Sequence, residues 1–438
     1  MKVSRRSFLK GGVIAAGALA ASRLAPIAGP ATKSVAFAAS TAEKVDDLYD
    51  IDPNLERFQE RNSMFHRTRW DPTVQEYLPL QKANMINHIK NNDPGFRALD
   101  YAFRTAGWAI VDATKSGTGA GTRPGAYHQG FYVNQPVAAK PPASPVQFDP
   151  DEAARVVKKV AKFLGADLVG ITAMDERWLC QTWAHRQMPL EGPVVIDDVQ
   201  AFAGIDEAGT FHIPTSMKYV IAFAVKQDLD VVKGGTTAVA STAVGAGYAK
   251  QALVAYGLAE FLWALGYQAL PSGNDLAVST PFAVAAGLGE LGRNGVCVTM
   301  EYGPNVRLAK VFTSLPMTLD KPRNFGVREF CTVCKKCAEM CPSQAIPTGG
   351  MTKEKACMSN VAGVLKWSVN VEKCFRFWND NGVDCANCVA VCPYTKDAKF
   401  WQHALGAKLA PAMGSLFVKL DDWLGYGQDD PLAWWNKH

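Results

Sequence analysis

The chain has 438 residues, 48% of them hydrophobic and 20% charged, a globular balance long enough for two or three domains. Its formal charge of +5 is local: residues 1–38 hold Lys2, Arg5, Arg6, Lys10, Arg23 and Lys33 and no acid, and without these six the rest carries 40 basic against 41 acidic residues. A body so close to neutral excludes electrostatic binding of nucleic acid and a polybasic membrane anchor.

The start, Ser4-Arg5-Arg6-Ser7-Phe8-Leu9-Lys10, precedes a weakly apolar Gly/Ala stretch from Gly11 to Ala21 and the small-residue run Ala36-Phe37-Ala38-Ala39. Paired arginines, a short apolar region and an Ala-x-Ala site predict a twin-arginine signal peptide over 1–38, and hence export of an already folded protein. The stretch is too short, and too broken by Arg23, for a transmembrane anchor. No later segment is apolar enough to span a bilayer, so any attachment to a membrane is expected through a partner.

Residues 39–150 form an N-terminal region expected to contribute to a pocket, and its Gly/Pro/Ala-rich part from Lys115 to Pro150 reads as mostly loop. An α/β core is expected over 151–323. It opens with a helix over Asp151–Gly165, capped by Asp151, whose apolar residues Ala154, Val157, Val160, Phe163 and Leu164 have helical spacing. Strands follow at Asp167–Thr172 and Lys218–Val225, the longest helix at Thr242–Gly266, and further strands at Gly295–Met300 and Arg307–Phe312. The aromatic-rich residues 400–438 are expected to pack across the other domains.

Between 324 and 399 the cysteines concentrate. Cys331-x2-Cys334-x2-Cys337-x3-Cys341-Pro342 is the spacing of a bacterial-ferredoxin 4Fe–4S loop, in which the fourth cysteine serves the other cluster. Cys374-x10-Cys385-x2-Cys388-x3-Cys392-Pro393 repeats it with a longer first gap. Crossed wiring assigns Cys331, Cys334, Cys337 and Cys392 to one cluster and Cys341, Cys374, Cys385 and Cys388 to the other. Cys357 competes with Cys374; Cys180, Cys297 and otherwise Cys357 read as buried thiols. Disulfides and a zinc site are the competing readings, and two tandem Cys-x3-Cys-Pro endings outweigh both. Assembly of clusters in a reducing cytoplasm agrees with export of a folded chain.

Gly287-Leu288-Gly289-Glu290-Leu291-Gly292-Arg293-Asn294-Gly295 lets backbone approach a bulky group, with Arg293 placed to meet an anion; a structural glycine turn is the plainer alternative. Gly287-x-Gly289-x2-Gly292 matches the dinucleotide fingerprint only in its letters, since no convincing strand precedes it.

The twin-arginine leader, this glycine segment, Glu301-Tyr302-Gly303-Pro304-Asn305-Val306-Arg307 and the unequal ferredoxin pair together resemble the catalytic subunit of respiratory reductive dehalogenases, over essentially the whole chain. The resemblance implies a nitroreductase-like corrinoid-binding core, with Gly287, Gly289, Gly292, Arg293, Asn294 and Trp378 toward the cofactor, and a ferredoxin-like domain with two 4Fe–4S clusters. No histidine lies in an Asp-x-His-x2-Gly pattern, so the implied corrinoid is base-off. The family's catalytic tyrosine falls on Tyr248, its arginine on Arg307 and an asparagine on Asn274. It further implies a small organohalide substrate, a small hydrophobic membrane-anchor subunit, a membrane electron donor and a place on the outer face of the cytoplasmic membrane.

Replacing a halogen by hydrogen takes two electrons and one proton. Clusters deliver electrons one at a time, and a tyrosine hydroxyl is a usable proton donor where a guanidinium stabilises the phenolate left behind. The alternatives are an exported iron–sulfur subunit that only relays electrons, and an epoxyqueuosine-reductase-like enzyme. The leader and neutral body oppose the latter, because tRNA is cytoplasmic and polyanionic.

Overall fold

A computed structural model describes residues 40–115, 139–140, 142–185, 189–396 and 401–436. The signal-peptide expectation, and most of the loop expected between Lys115 and Pro150, lie outside these residues.

The N-terminal region is helical, with α1 (Met64–Trp70), α2 (Leu78–Asn91) and α3 (Ala98–Lys115). The core opens with α4 (Pro150–Phe163), one residue earlier than its pattern suggested. Its cap is Asp149 rather than Asp151: the Asp149 carboxylate accepts from Asp151 N at 2.9 Å. Pro150 sits in the first turn, where its missing N–H costs nothing and its fixed φ already suits a helix.

Next come β1 (Leu168–Ala173), β2 (Tyr219–Lys226), α5 (Ala238–Ala264), β3 (Ala269–Ser272), α6 (Ser279–Ala285) and β4 (Val306–Thr313). The strands form one sheet in the order β1-β2-β4-β3, every neighbour antiparallel. Within β2, Ile221, Phe223 and Val225 pack with Val157, Val254, Leu258 and Leu262 of α4 and α5. The alternate residues Ala222 and Ala224 meet Ala283 of α6. With both faces covered, Val220 to Val225 reads as an unbroken apolar run. Cutting Leu258 or Leu262 to alanine in so closed a core would cost ~2–5 kcal/mol.

Helix α5 is buried over most of its surface, with Leu253 left exposed, and begins at Ala238, four residues before its expected start. Its first turns are Ala, Val, Ser and Thr, whose small side chains carry little periodic signal; Thr237 caps it, Oγ1 accepting from Ala240 N at 3.4 Å. Strand β3 was not expected at all. It contains Pro271, which a sheet tolerates because β3 is an edge strand. The strand expected at Gly295–Met300 shrinks to Cys297–Val298, paired with Glu290–Leu291. A separate four-stranded sheet joins Thr182–Ala184, Glu191–Ile196, Phe211–Ile213 and Gly204–Ile205.

The cysteine region contains α7 (Val371–Asp380) and several shorter helices. It is bound to the N-terminal region: Arg67 of α1 pairs with Asp71 at 2.6 Å and with Glu372 of α7, and Asn84 of α2 donates to Asp380 O at 2.9 Å. The C-terminal aromatics bridge regions, as their sequence suggested. Trp434 stacks on Phe103 with centroids 4.5 Å apart, and Phe417 packs edge-on to Phe330. Among the described residues no helix is long and apolar enough to cross a membrane.

Candidate active site

The eight cysteines gather around two cavities. Cys331, Cys334, Cys337 and Cys392 line a small one together with Phe330 and Tyr394. Cys341, Cys374, Cys385 and Cys388 line part of a much larger one, about 740 Å³. Each run thus lends its fourth cysteine to the other group. Cys357 lines neither cavity; half-buried rather than buried, it points its thiol at Asn360 Oδ1, 3.2 Å away. Cys180 and Cys297 are buried.

The donor chemistry fits iron–sulfur clusters, since four soft thiols facing one space is what such a cluster requires. Among the described residues no three His, Cys, Asp or Glu side chains close on a point that would hold a single metal ion. Burial pushes the Cys331 and Cys374 thiols up to about 12 and Cys388 up to about 11. Thiolates in such a setting need a positive centre to hold them, and cluster iron is one.

The large cavity is walled by Val45, Phe65 and Trp108 of the N-terminal region, Tyr248 of α5, Arg307 of β4 and Trp378 of α7. Here the structure brings together three residues scattered through the sequence. The Asn274 amide donates to Tyr248 Oη at 3.3 Å. The Arg307 guanidinium lies over the Tyr248 ring, its Cζ 4.8 Å from the centroid. Trp108 tilts against that ring at 5.8 Å. The preceding Gly247 leaves the room: a Cβ there would come within 2.9 Å of Arg307 Cγ. Arg307 Nε is buried without a hydrogen-bond partner in the protein, a donor left over for something within the cavity, and the buried Trp378 indole N–H lies beside the Cys374 thiol.

The glycine segment does something other than its letters suggested. A Cβ on Gly287 would lie 2.5 Å from Lys321 O, one on Gly289 2.6 Å from Val298 O, and one on Gly292 2.7 Å from Val298 Cγ2. None of the three lines the large cavity; they make room for neighbouring segments of the chain itself, so the structural turn is the correct reading. Arg293 is likewise not free for an anion. Its guanidinium donates to Cys331 O at 3.0 and 2.8 Å, Pro347 O at 2.7 Å and Gly349 O at 3.0 Å, and stacks on Trp367. Five fixed donors in a plane suit clamping carbonyls as well as a phosphate, and here they hold the first cysteine loop. Asn294 and Trp378 do line the large cavity.

Several lining residues carried no signal in the sequence. Arg104 of α3 donates to Ser241 Oγ at 2.9 Å and sits 3.7 Å from Asp384, to which Ser241 donates in turn. This network ties α3 and α5 to the residue before Cys385. Such polar partners sit on separate elements, and only a pattern linking those elements could have flagged them. Trp178, in the short turn of helix at Glu176–Trp178 beyond β1, also lines the cavity.

Residues 44–317 match the family described as reductive dehalogenase subunit, and residues 330–395 the 4Fe-4S double cluster binding domain. A tetrachloroethene reductive dehalogenase of Desulfitobacterium hafniense is 30% identical over 97% of this chain and 94% of its own length. One from Sulfurospirillum multivorans is 36% identical over 64% of this chain and 58% of its own. A solved reductive dehalogenase, whose structure was reported to suggest a mechanism for B12-dependent dehalogenation, superimposes with a TM-score of 0.64 at 19% identity. That match covers 89% of this chain, which spans about half (49%) of the solved one, and shows a common fold. The chain therefore belongs to the reductive dehalogenase family, oxidoreductases acting on carbon–halogen bonds, and carries a double 4Fe–4S cluster domain.

Proposed function

We propose that the large cavity holds a base-off corrinoid and that the enzyme removes halide from a small organohalide there, with Tyr248 as the proton donor. The observation that carries this reading is a single cavity bounded by one cysteine group and by Tyr248 and Arg307, with Asn274 hydrogen-bonded to Tyr248 from outside its lining. Its volume and its apolar, aromatic walls suit a flat macrocycle beside a small apolar substrate. Among the described residues no histidine lines it, in keeping with a corrinoid that takes no protein ligand below its metal. Asn294, Trp378 and the open Nε of Arg307 are the side chains offered to the cofactor and its substrate. When bound, the corrinoid would supply the strongly reducing electrons that break a carbon–halogen bond.

The protein's own part is to deliver electrons and a proton. Cys341, Cys374, Cys385 and Cys388 would hold the cluster next to the cavity, and Cys331, Cys334, Cys337 and Cys392 the one behind it. With those clusters bound, two electrons would be supplied singly from the cysteine groups, and as the halide leaves the Tyr248 hydroxyl would protonate the carbon. The phenolate left on Oη receives the Asn274 N–H and lies under the field of Arg307, so charge develops where donors already point. Aromatic walls keep water from competing as a proton source.

Replacing Tyr248 by phenylalanine tests the assignment. Iron and corrinoid should stay at wild-type levels while turnover falls on the order of 10²–10⁴-fold, the usual worth of a positioned general acid. Wild-type turnover in that variant would sink it. Extraction of anaerobically purified protein separates this reading from an electron carrier: stoichiometric corrinoid excludes the carrier, and its absence from an active holoprotein excludes the dehalogenase site.

The twin-arginine leader supports export to the outer face of the cytoplasmic membrane. There a small hydrophobic anchor subunit and a membrane electron donor would serve the enzyme as terminal reductase of organohalide respiration. Fusing residues 1–38 to a folded reporter and following export with the twin-arginine pathway intact and blocked tests the route.

A further inference from the structure

Outside the cavity, beneath the loop that carries Asn274, lies a buried group of ionisable side chains: Glu60, Asp275, Lys310 and Cys180, each no more than 3% exposed. Lys310 comes from the middle of β4, between Ala309 and Val311, where an apolar residue would be ordinary. Its ammonium instead donates to Gly273 O at 2.7 Å, Ala277 O at 3.1 Å and Ser279 Oγ at 3.0 Å. These acceptors bracket Asn274 on both sides.

The same loop is held at further points. Asp275 Oδ1 accepts from Gly273 N at 2.8 Å, Glu60 Oε1 from Leu276 N at 3.2 Å, and Ser279 Oγ donates to Gly273 O at 2.8 Å. Leu276 has a φ of +62°, a left-handed conformation that a branched, bulky residue adopts only under external constraint. A buried lone ammonium would be costly; Asp275 supplies the opposing charge, while burial and the neighbouring Asp275 push the Glu60 carboxyl up to about 8.

We propose that Lys310 is a positioning residue for the reaction: it fixes the Gly273–Ala277 loop so that the Asn274 amide stays on Tyr248 Oη. This rests on the reading of Tyr248 as proton donor. Asn274 reaches Tyr248 by a 3.3 Å hydrogen bond from a loop that Lys310 grips on both sides, so the position of its amide follows that backbone. A tie to the carbonyls on either side of Asn274 sets that backbone, whereas packing alone would leave it free to turn.

A double-mutant cycle on the holoenzyme tests this, with Lys310→Met, Asn274→Ala and the double variant, and tetrachloroethene as probe substrate. Iron and corrinoid content report whether each variant is intact. Lys310→Met should lower kcat about tenfold or more with KM little changed, and in the Asn274→Ala background should cost less than about a further twofold. Independent, multiplicative losses would overturn the proposal, because a merely structural lysine harms the enzyme whether or not Asn274 is present. Should Lys310→Met fail to accumulate with its cofactors, Lys310→Gln, which keeps an N–H donor, takes its place in the cycle with the same two outcomes. The Tyr248→Phe variant keeps the two ideas apart. Wild-type turnover there removes the proton-donor reading and this proposal with it, whereas a dead Tyr248→Phe beside a multiplicative cycle removes only the role of Lys310.

Discussion

The two cysteine groups use one kind of spacing in two settings. The first sits in a small cavity whose loop is pinned by the buried Arg293 and covered by Phe330 and Tyr394. The second forms a wall of the large cavity that also contains Tyr248 and Arg307. On the proposed reading, identical thiolate chemistry would serve two positions on one path, a relay behind and a delivery point in front. The surroundings, not the ligands, separate them.

The largest effect that could break this contrast comes from Cys374. Cys374→Ser should lose roughly half the iron and reduce turnover to background, while Cys357→Ser leaves both unchanged; iron analysis and a steady-state assay read both variants. Equal iron loss in the two would undo the assignment of the second group.

Next is the clamp on the first group. Arg293→Met strips four hydrogen bonds from three partly buried backbone carbonyls and should cost about 3 kcal/mol, seen in denaturant unfolding. Iron should leave the first group before the second, so the spectrum of the variant should be that of a single remaining cluster.

Trp378 probes the front position more gently. Trp378→Phe keeps the ring packing against Phe65 and Phe375 but removes the buried indole N–H. Corrinoid retention should weaken by about 1 kcal/mol, measured by equilibrium dialysis, with iron unchanged.

The smallest effect lies in the smaller sheet and calibrates the others. The Asp206 carboxylate bonded to Nε2, with Asp197 on Nδ1, holds His212 above the usual imidazole range. A raised folded-state value means that its stabilising contribution is complete below the ordinary pKa of about 6.5 and fades as pH rises through the raised one. His212→Gln should therefore lower the melting temperature at pH 6 more than at pH 9, with iron content unchanged at both.

Much of this was legible because it is local. Cysteine steps of three and four residues declare two clusters, and the apolar runs of β2 and β4 and the long helix α5 follow from their own periodicity. Tyr248, Asn274 and Arg307 were reachable by likeness to a family and by no spacing rule. Even the interval of 26 from Tyr248 to Asn274 carries no physical signal until α5 and the turn after β3 meet. The glycine segment misled because close approach of backbone looks the same in sequence whether the neighbour is a cofactor or Val298.

By itself, the sequence determined the kind of chemistry: eight cysteines in two ferredoxin-like runs, on a body too neutral for nucleic acid. Only the tertiary structure decided which side chains face the large cavity. It set Cys374 there and Cys357 aside, turned Arg293 from an expected anion ligand into a clamp on a cysteine loop, and gathered Lys310, Glu60 and Asp275 under Asn274. The reason is range: ligand spacing and helical period are written into neighbouring residues, whereas a buried polar contact depends on which distant segments the fold brings together.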